Sequence, residues 1–400
     1  MIKYLQVRVE MIKFEDLREW QKKAYMHWVL NECSGIFLGC TGSGKSIAAM
    51  YCFQHKNVPT IVIVPTIALM NQWIEEVSRN FNIPIEEIGS IGDGKHSIKK
   101  ITIAVVNSVR DMDLGYFDMI VLDEAHRYGS DENIKPIMNN KFKYKLGLTA
   151  TLKRSDGKDS ELEDLVGKVV YVYTTENGVK DGVLSEFEII NIGVNLSPKE
   201  KIEYDNNSTL IDKSNITMAN AVKIMMDWSH PDRFRAMAVV RATTKRKSII
   251  SNAEEKMRAI LDIIIANNGK KIILFNETIK MAELERKMLN KNGIESEIYH
   301  SKMKKQDSIE RFRNGEVNIL ISVKSLNEGL DVKDVDVMIR VAGTSQDRDT
   351  IQRLGRGLRI VEGKEGAKYY QIYCKDTLEK WQVVKNTNII KSASNKVTWI

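Results

Sequence analysis

Residues 39–46 read GCTGSGKS, and this stretch decides the fold. It fits G-x-x-x-x-G-K-[ST] in full. It follows an apolar run ending at Leu38 and opens into IAAMYCF, a helical pattern, which is the context the motif requires. The residue types follow from the chemistry. Gly42 and Gly44 let the backbone bend so that its N–H groups point inward at phosphate oxygens, with Thr41 and Ser43 in the same loop. The helix N-terminus adds favourable potential, Lys45 reaches the β and γ phosphates, and Ser46 ligates Mg²⁺.

Working outward from the loop, short β-branched runs alternate with helical patterns. Residues 35–38, 60–64, 101–106, 119–122 and 145–148 read as strands. Residues 67–81 read as an amphipathic helix, with Leu69, Trp73 and Val77 at four-residue spacing. Buried runs alternating with helices predict a parallel sheet covered on both faces. The second half repeats the plan, with strands at 271–275, 295–299, 318–323, 335–341 and 368–373 and helices at 279–291 and 305–314. Between the halves, residues 195–246 are rich in Asn, Ser, Lys and Met and are helical in pattern. The expected organisation is therefore α/β, with a first domain over 1–194, a linker with a small helical insertion over 195–246, and a second domain over 247–400.

The bulk properties fit this plan. The chain has 400 residues, 43% of them apolar and 28% charged, which suits two folded domains. No apolar run reaches the length of a membrane span, the run at residues 61–64 is strand-sized, and MIKYLQVRVE lacks the apolar core of a signal peptide. Cys33, Cys40, Cys52 and Cys374 have no CxxC spacing, so neither a zinc site nor a disulfide framework is expected and a cytoplasmic setting is. Lys and Arg against Asp and Glu amount to −3 over 1–240 and +10 over 241–400, within a net charge of +7. The basic second half suits an acidic partner, although a surplus this small also serves solubility alone.

A Mg²⁺–triphosphate site needs a carboxylate at the end of a buried strand. FDMIVLDEAH (117–126) supplies one, delivering Asp123 to hold Mg²⁺ and Glu124 to orient and activate the attacking water. His126, three residues past Asp123, is placed to sense the nucleotide state.

Taken together, GCTGSGKS, DEAH (123–126), LTAT (148–151) and QRLGRGLR (352–359) resemble motifs I, II, III and VI of the superfamily 2 helicases, in family order across roughly residues 17–360. LREWQ (17–21) resembles the segment that reads adenine, with Gln21 the contact and Arg18 beside it. VPTIALMNQW (64–73) resembles motif Ia, VNSV (106–109) motif Ib and FNET (275–278) motif IV. SVKSLNEGLDV (322–332) resembles motif V, with Gly329 and Asp331 its recognisable pair. The resemblance implies two RecA-like P-loop domains that clamp ATP and grip a nucleic-acid strand. Within the superfamily, GLTATLKRSDG (147–157) is similar to the XPB-type DNA helicases, whose Arg-x-Asp element maps to Arg154 and Asp156, and is compatible with phage recombination helicases of the UvsW type. The insertion after residue 195 sits where the XPB type carries its thumb. About fifteen residues precede the adenine-reading segment, so the N-terminal damage-recognition domain of that family is expected to be absent, and the box reads DEAH where DEVH is usual there.

The resemblance implies roles for further residues. Gln352, Gly355, Arg356 and Arg359 occupy the QxxGRxxR pattern, so Arg356 and Arg359 are expected at the γ-phosphate and Arg353 as a bystander. Thr149 and Thr151 would link nucleotide state to the DNA face, and the cofactors are ATP and Mg²⁺. Candidate phosphate-backbone contacts are Thr66, Ser108, Arg154, Asp156, Ser301, Lys304 and Ser322. Trp228 and Tyr204 in the insertion are capable of stacking on bases, with core packing the favoured expectation for both.

The function expected is an ATP-dependent DNA helicase or translocase acting as a monomer on forked, branched or junction DNA in repair, recombination or replication. RNA is the less favoured partner, and no membrane is involved. The setting is cytoplasmic and nucleoid-associated, or the host cytoplasm for a viral chain. Three other readings stay open: a double-stranded DNA translocase of a restriction or defence system, a DExH RNA helicase, and a non-enzymatic nucleotide-gated binding module.

Overall fold

The computed structural model describes residues 11–128, 133, 135–150, 159–300, 307–323, 335–341 and 366–400. The chain divides into two compact units, the first running to Ser185 and the second beginning at Glu186. Among the described residues, no helix is long and apolar enough to cross a membrane.

The first unit is built on eight strands: β1 (Ser34–Gly39), β2 (Thr60–Val64), β3 (Gly89–Gly92), β4 (Lys95–Ser97), β5 (Ile101–Val105), β6 (Met119–Asp123), β7 (Tyr144–Thr149) and β8 (Val169–Tyr173). They lie in the order β4-β3-β5-β2-β6-β7-β1-β8. Every pairing is parallel except the β3–β4 hairpin. The central strand β2, TIVIV, is buried at every position because helices cover both faces, which is why it shows no polar alternation. Helix α1 (Glu19–Leu30), helix α2 (Lys45–Lys56) and helix α3 (Ile67–Phe81) pack on this sheet. Helix α3 buries Leu69, Met70, Trp73, Ile74, Val77 and Phe81, the apolar stripe expected of its spacing.

The edge hairpin and β8 lie outside the strands read from sequence. The hairpin had a signal: Asp93 and Gly94 form its two-residue turn between the paired Gly92 and Lys95, both with positive φ, 52° and 74°. Asp-Gly is the dipeptide that such a turn favours.

The second unit carries β9 (Phe187–Val194), β10 (Ile272–Asn276), β11 (Glu297–His300), β12 (Ile319–Val323), β13 (Val337–Arg340), β14 (Ala367–Cys374) and β15 (Lys396–Trp399). The order is β11-β12-β10-β13-β14-β9-β15, and every pairing is parallel. This corrects the expected boundary at residue 194. Strand β9 belongs to the second sheet, where it pairs with β14 from Phe187↔Ala367 to Val194↔Cys374. A buried polar network locks it there: Gln371 Nε2 donates to Asn191 Oδ1 and to Thr387 Oγ1, both at 2.9 Å.

After β9 the chain forms three helices, Pro198–Ser214, Met218–Met226 and Arg233–Ser251, the helical insertion expected from sequence but extending past residue 246. The ends of the first and third join the domain core through Tyr204, Ile249 and Ile250, while Ala221, Ala236 and Val239 form a small core of their own.

Candidate nucleotide-binding and hydrolysis site

Three elements of the first sheet end on the same side, as parallel strands require: the loop after β1, the acidic pair after β6 and the threonine that ends β7. Ligands of open α/β sheets bind at these carboxyl ends.

The loop Cys40–Gly44 is shaped by glycine. Gly42 and Gly44 sit at φ +82° and +92°, left-handed conformations that side chains disfavour, and a Cβ on Gly44 would fall 2.9 Å from Gln21 Nε2. Lys45 begins α2 and folds over the loop, donating to the carbonyls of Gly39 (2.7 Å) and Cys40 (3.1 Å). Ser43 Oγ donates to Cys40 O at 2.8 Å, which ties the turn internally. Thr41 Oγ1 is buried with no hydrogen-bond partner among the described residues. Ser46 follows in the first turn of α2, which carries no acidic residue. A narrow backbone cradle, a helix N-terminus free of carboxylates, a cation at its mouth and an unspent hydroxyl fit a phosphate chain, and the Ser46 hydroxyl and Asp123 carboxyl are oxygen donors of the kind that Mg²⁺ takes.

Arg18 and Gln21 lie against this loop. Gln21 Oε1 accepts from Arg18 N (2.8 Å), Gln21 Nε2 donates to Gly44 O (2.9 Å), and Arg18 Nη1 donates to Ser43 O (2.8 Å). The start of α1 therefore clasps the phosphate loop itself, a contact the expectation of adenine reading did not include. Trp20 stacks on Tyr173 of β8, ring centroids 4.9 Å apart, and so fixes α1 against the sheet.

At the end of β6, Asp123 is held from two sides. Its Oδ1 accepts from the Glu124 N–H and its Oδ2 from the Trp73 indole N–H, both at 2.9 Å. Burial pushes the carboxyl up to about 6, with the Glu124 charge adding to the shift. The Trp73 hydrogen bond and the Lys45 ammonium oppose it. Glu124 itself adopts φ +52°, a left-handed kink uncommon for a glutamate that turns the chain sharply after the strand. His126, in the turn that follows, lies with Nδ1 2.9 Å from Thr149 Oγ1 at the end of β7 and 3.5 Å from Glu124 Oε2. Tyr128 Oη donates to Ile63 O at 2.8 Å and pins that turn to β2.

Lys45, Asp123, Glu124, His126 and Thr149 are thus gathered at one sheet end, with Arg18, Gln21, Thr41, Gly42, Ser43, Gly44 and Ser46 around the loop. Gln352, Arg356, Arg359, Gly329, Asp331, Thr151, Arg154, Asp156, Ser301 and Lys304 lie outside the described residues. Of the nucleic-acid candidates within them, Thr66 caps α3 by accepting from Leu69 N (3.3 Å), and Ser108 is exposed. Ser322 is corrected: it stands inside β12 at 1% exposure, where the sheet's covering helices shut its hydroxyl away from any external strand. Core packing, expected for Tyr204 and Trp228 alike, is what Tyr204 does, at 5% exposure. Trp228 is 83% exposed, because it falls in the turn between two helices rather than on a buried face. Trp73, read from sequence on the amphipathic stripe and at the end of the segment resembling motif Ia, was given no role toward Asp123, which its indole contacts here.

Residues 14–154 match the family described as type III restriction enzyme, res subunit, and residues 255–361 match the helicase conserved C-terminal domain. The chain is 29% identical over 362 residues to the DNA 3'-5' translocase XPB2 of Sulfurisphaera tokodaii, covering 86% of this chain and 79% of that one. It is 22% identical over 375 residues to the DNA 3'-5' helicase XPB of Kineococcus radiotolerans, covering 91% of this chain and 61% of the relative's length. Among solved structures, the Pyrococcus furiosus Hef helicase domain superposes with a TM-score of 0.63 at 18% identity, covering 94% of this chain and 99% of that one. That likeness shows the RecA-like fold. With these two matches and XPB-type relatives along most of its length, the chain is similar to the superfamily 2 helicases, and to their XPB type in particular.

Proposed function

We propose that this protein is an ATP-dependent DNA helicase or translocase that moves 3' to 5' on forked, branched or junction DNA, in repair, recombination or replication. The observation that carries the reading is geometric: the glycine-shaped loop with Lys45 after β1, the acidic pair Asp123 and Glu124 after β6, and Thr149 at the end of β7 with His126 against it all lie at one end of the same parallel sheet. The XPB-type relatives, a DNA 3'-5' translocase and a DNA 3'-5' helicase, support DNA as the substrate and this polarity.

In this reading the loop N–H groups and Lys45 hold the β and γ phosphates, while Arg18 and Gln21 stiffen the loop and lie beside the base. Ser46 and Asp123 hold Mg²⁺, which when bound neutralises phosphate charge. Glu124 orients and deprotonates the attacking water, and its neighbour His126 passes the state of that carboxylate to Thr149. Arg356 and Arg359 supply the positive charge that the transferred phosphoryl group demands, with Gln352, Gly329 and Asp331 beside them. Thr66, Ser108, Arg154, Asp156, Ser301 and Lys304 contact the strand, and Thr151 joins Thr149 in coupling. The protein works as a monomer, in the cytoplasm on the nucleoid or in a host cytoplasm.

ATPase rate against single-stranded, duplex, forked and four-way DNA and against RNA tests the proposal. Stimulation is expected to be greatest with DNA that contains a single-strand–duplex junction, and no stimulation by any nucleic acid would sink it. Arg359→Ala is expected to bind ATP but lose about 10³-fold or more in turnover. A second reading, translocation along duplex DNA without strand separation, is favoured by the match to the restriction-subunit family. Triplex displacement without fork unwinding would establish it.

A further inference from the structure

The second unit buries a carboxyl group that the nucleotide site does not use. The helix Ile279–Lys291 turns Met281, Ala282, Glu285 and Leu289 inward, so a glutamate stands on its apolar stripe, at 0% exposure. Its hydrogen-bond partner is Asn276, the last residue of β10 and 1% exposed, whose Nδ2 donates to Glu285 Oε2. The other oxygens of the two groups, Asn276 Oδ1 and Glu285 Oε1, are both buried with no hydrogen-bond partner among the described residues. Two adjoining groups thus each keep an unserved acceptor in the core, where native structures seldom leave one.

The surrounding charges leave Glu285 without a counter-ion of its own. On the neighbouring helix Glu254–Ala266, Lys256 is fully buried, but its Nζ donates to Glu379 Oε1 (2.7 Å) and Val341 O (2.9 Å). On the same helix Glu255 pairs with Arg258, and Glu254 and Asp262 are exposed. Strands β10 and β12 carry no charged residue. On β11, Glu297 pairs with Arg311, and His300 lies in register with Val323 and Asn276. Glu277 pairs with Lys247, while Lys280, Glu283, Arg286, Lys287 and Lys291 of the helix itself are exposed. Burial therefore pushes the Glu285 carboxyl up to about 8, against the pull of the Asn276 hydrogen bond and the Lys256 charge.

We propose that Glu285 is a positioning residue that works as the neutral acid: its Oε1–H donates to Asn276 Oδ1, closes a two-bond acid–amide pair and holds the segment FNET (275–278) where β10 leaves the sheet. One proton gives Asn276 Oδ1 a donor and turns Glu285 Oε1 from an acceptor into that donor. Loss of the proton sets a carboxylate oxygen against an amide oxygen and opens the pair. The residues after Asn276 give the pair its reach. Glu277 takes Lys247 of the third insertion helix, and Thr278 caps the Glu285 helix by accepting from Met281 N (3.3 Å). Strand, helix and insertion therefore meet at the residue that Glu285 holds. The effect on turnover rests on the proposal of a nucleic-acid-stimulated ATPase; the acid–amide pair itself does not.

The test compares the whole protein with Glu285→Gln, whose amide makes both hydrogen bonds and does not ionise, and with Glu285→Leu, which makes neither. The folded parent keeps the proton up to about pH 8 and the unfolded chain only to about 4.5, so parent stability falls as pH rises between those values and then levels off. The urea midpoint of Glu285→Gln is expected to lie closest to the parent's near pH 5 and to exceed it increasingly up to pH 8. Relative to Glu285→Gln, the parent's rate with forked DNA is expected to fall about tenfold between pH 7 and pH 9, with KM for ATP within about twofold. Glu285→Leu is expected to lose about fivefold in stimulation at every pH. Parent and Gln midpoints that run parallel across the range overturn the neutral acid, as does a Gln variant no better stimulated than the Leu variant. A Leu variant stimulated as well as the Gln variant overturns the positioning role. If no nucleic acid stimulates the parent, the motor reading fails and the unfolding curves alone decide the acid–amide pair.

Discussion

The indole N–H of Trp73 donates to Asp123 Oδ2 across 2.9 Å, so helix α3 reaches over to the carboxylate at the end of β6. Trp73 is otherwise a core residue on the buried stripe of α3. One side chain therefore ties the helix after β2 to the carboxyl at the end of β6.

Trp73→Phe keeps the ring and removes the donor. Because this hydrogen bond stabilises ionised Asp123, whose carboxyl already stands at about 6, its loss moves the carboxyl further up. A hydrogen bond to a charged group contributes roughly 1.5–3 kcal/mol, so the acid limb of the ATPase pH profile is expected to shift up by about one to two units. An unmoved limb between pH 5 and 8.5 would show that the bond does not govern the charge.

Asp123→Asn is expected to abolish ATP hydrolysis yet stabilise the fold at neutral pH. The native carboxyl binds its proton more tightly than the unfolded chain does, whose value is near 3.8. Stability is therefore lost as pH rises from about 4 to about 6, and the penalty is complete above that window. Removing the charge should return on the order of 1–3 kcal/mol at pH 7.5 and close to nothing at pH 4. Urea unfolding of both proteins at the two pH values measures the difference, and equal midpoints at pH 7.5 contradict the prediction.

Gln21→Ala removes the donor to Gly44 O and the acceptor for Arg18 N. The phosphate loop loses its clasp while its own chemistry is intact, so KM for ATP is expected to rise about tenfold with kcat within about threefold. A fall in kcat at unchanged KM would place Gln21 in the chemical step instead.

Thr149→Val deletes the oxygen 2.9 Å from His126 Nδ1 at nearly constant volume. Basal ATPase should change less than about threefold, while stimulation by forked DNA falls at least fivefold if this contact carries the coupling. Equal losses of basal and stimulated rates would make Thr149 a structural residue alone.

Most of the first domain was legible because its motifs are local. A phosphate loop needs a strand, glycines and a helix start within one short segment, and DEAH follows a buried apolar run, so Lys45, Asp123 and Glu124 are placed by neighbours in the chain. The hairpin at Asp93-Gly94 was equally local and equally readable. Strand β9 was not: residues 187–194 have a strand pattern that suits either sheet, and only pairing with β14, some 180 residues later, decides between them.

Local pattern alone was enough for two parallel-sheet α/β domains, the glycine-shaped loop ahead of α2 and the acidic pair that follows β6. Those features rest on periodicity and on contiguous motifs, where covalent connection brings the residues together. Only the tertiary structure decided that Trp73 holds Asp123, that Gln21 and Arg18 clasp the loop, that Ser322 is shut inside a strand and that Trp228 stands in water. Each of these depends on which faces meet when separate elements pack. An indole reads the same in sequence whether its face is covered by a sheet or left at the tip of a helical turn.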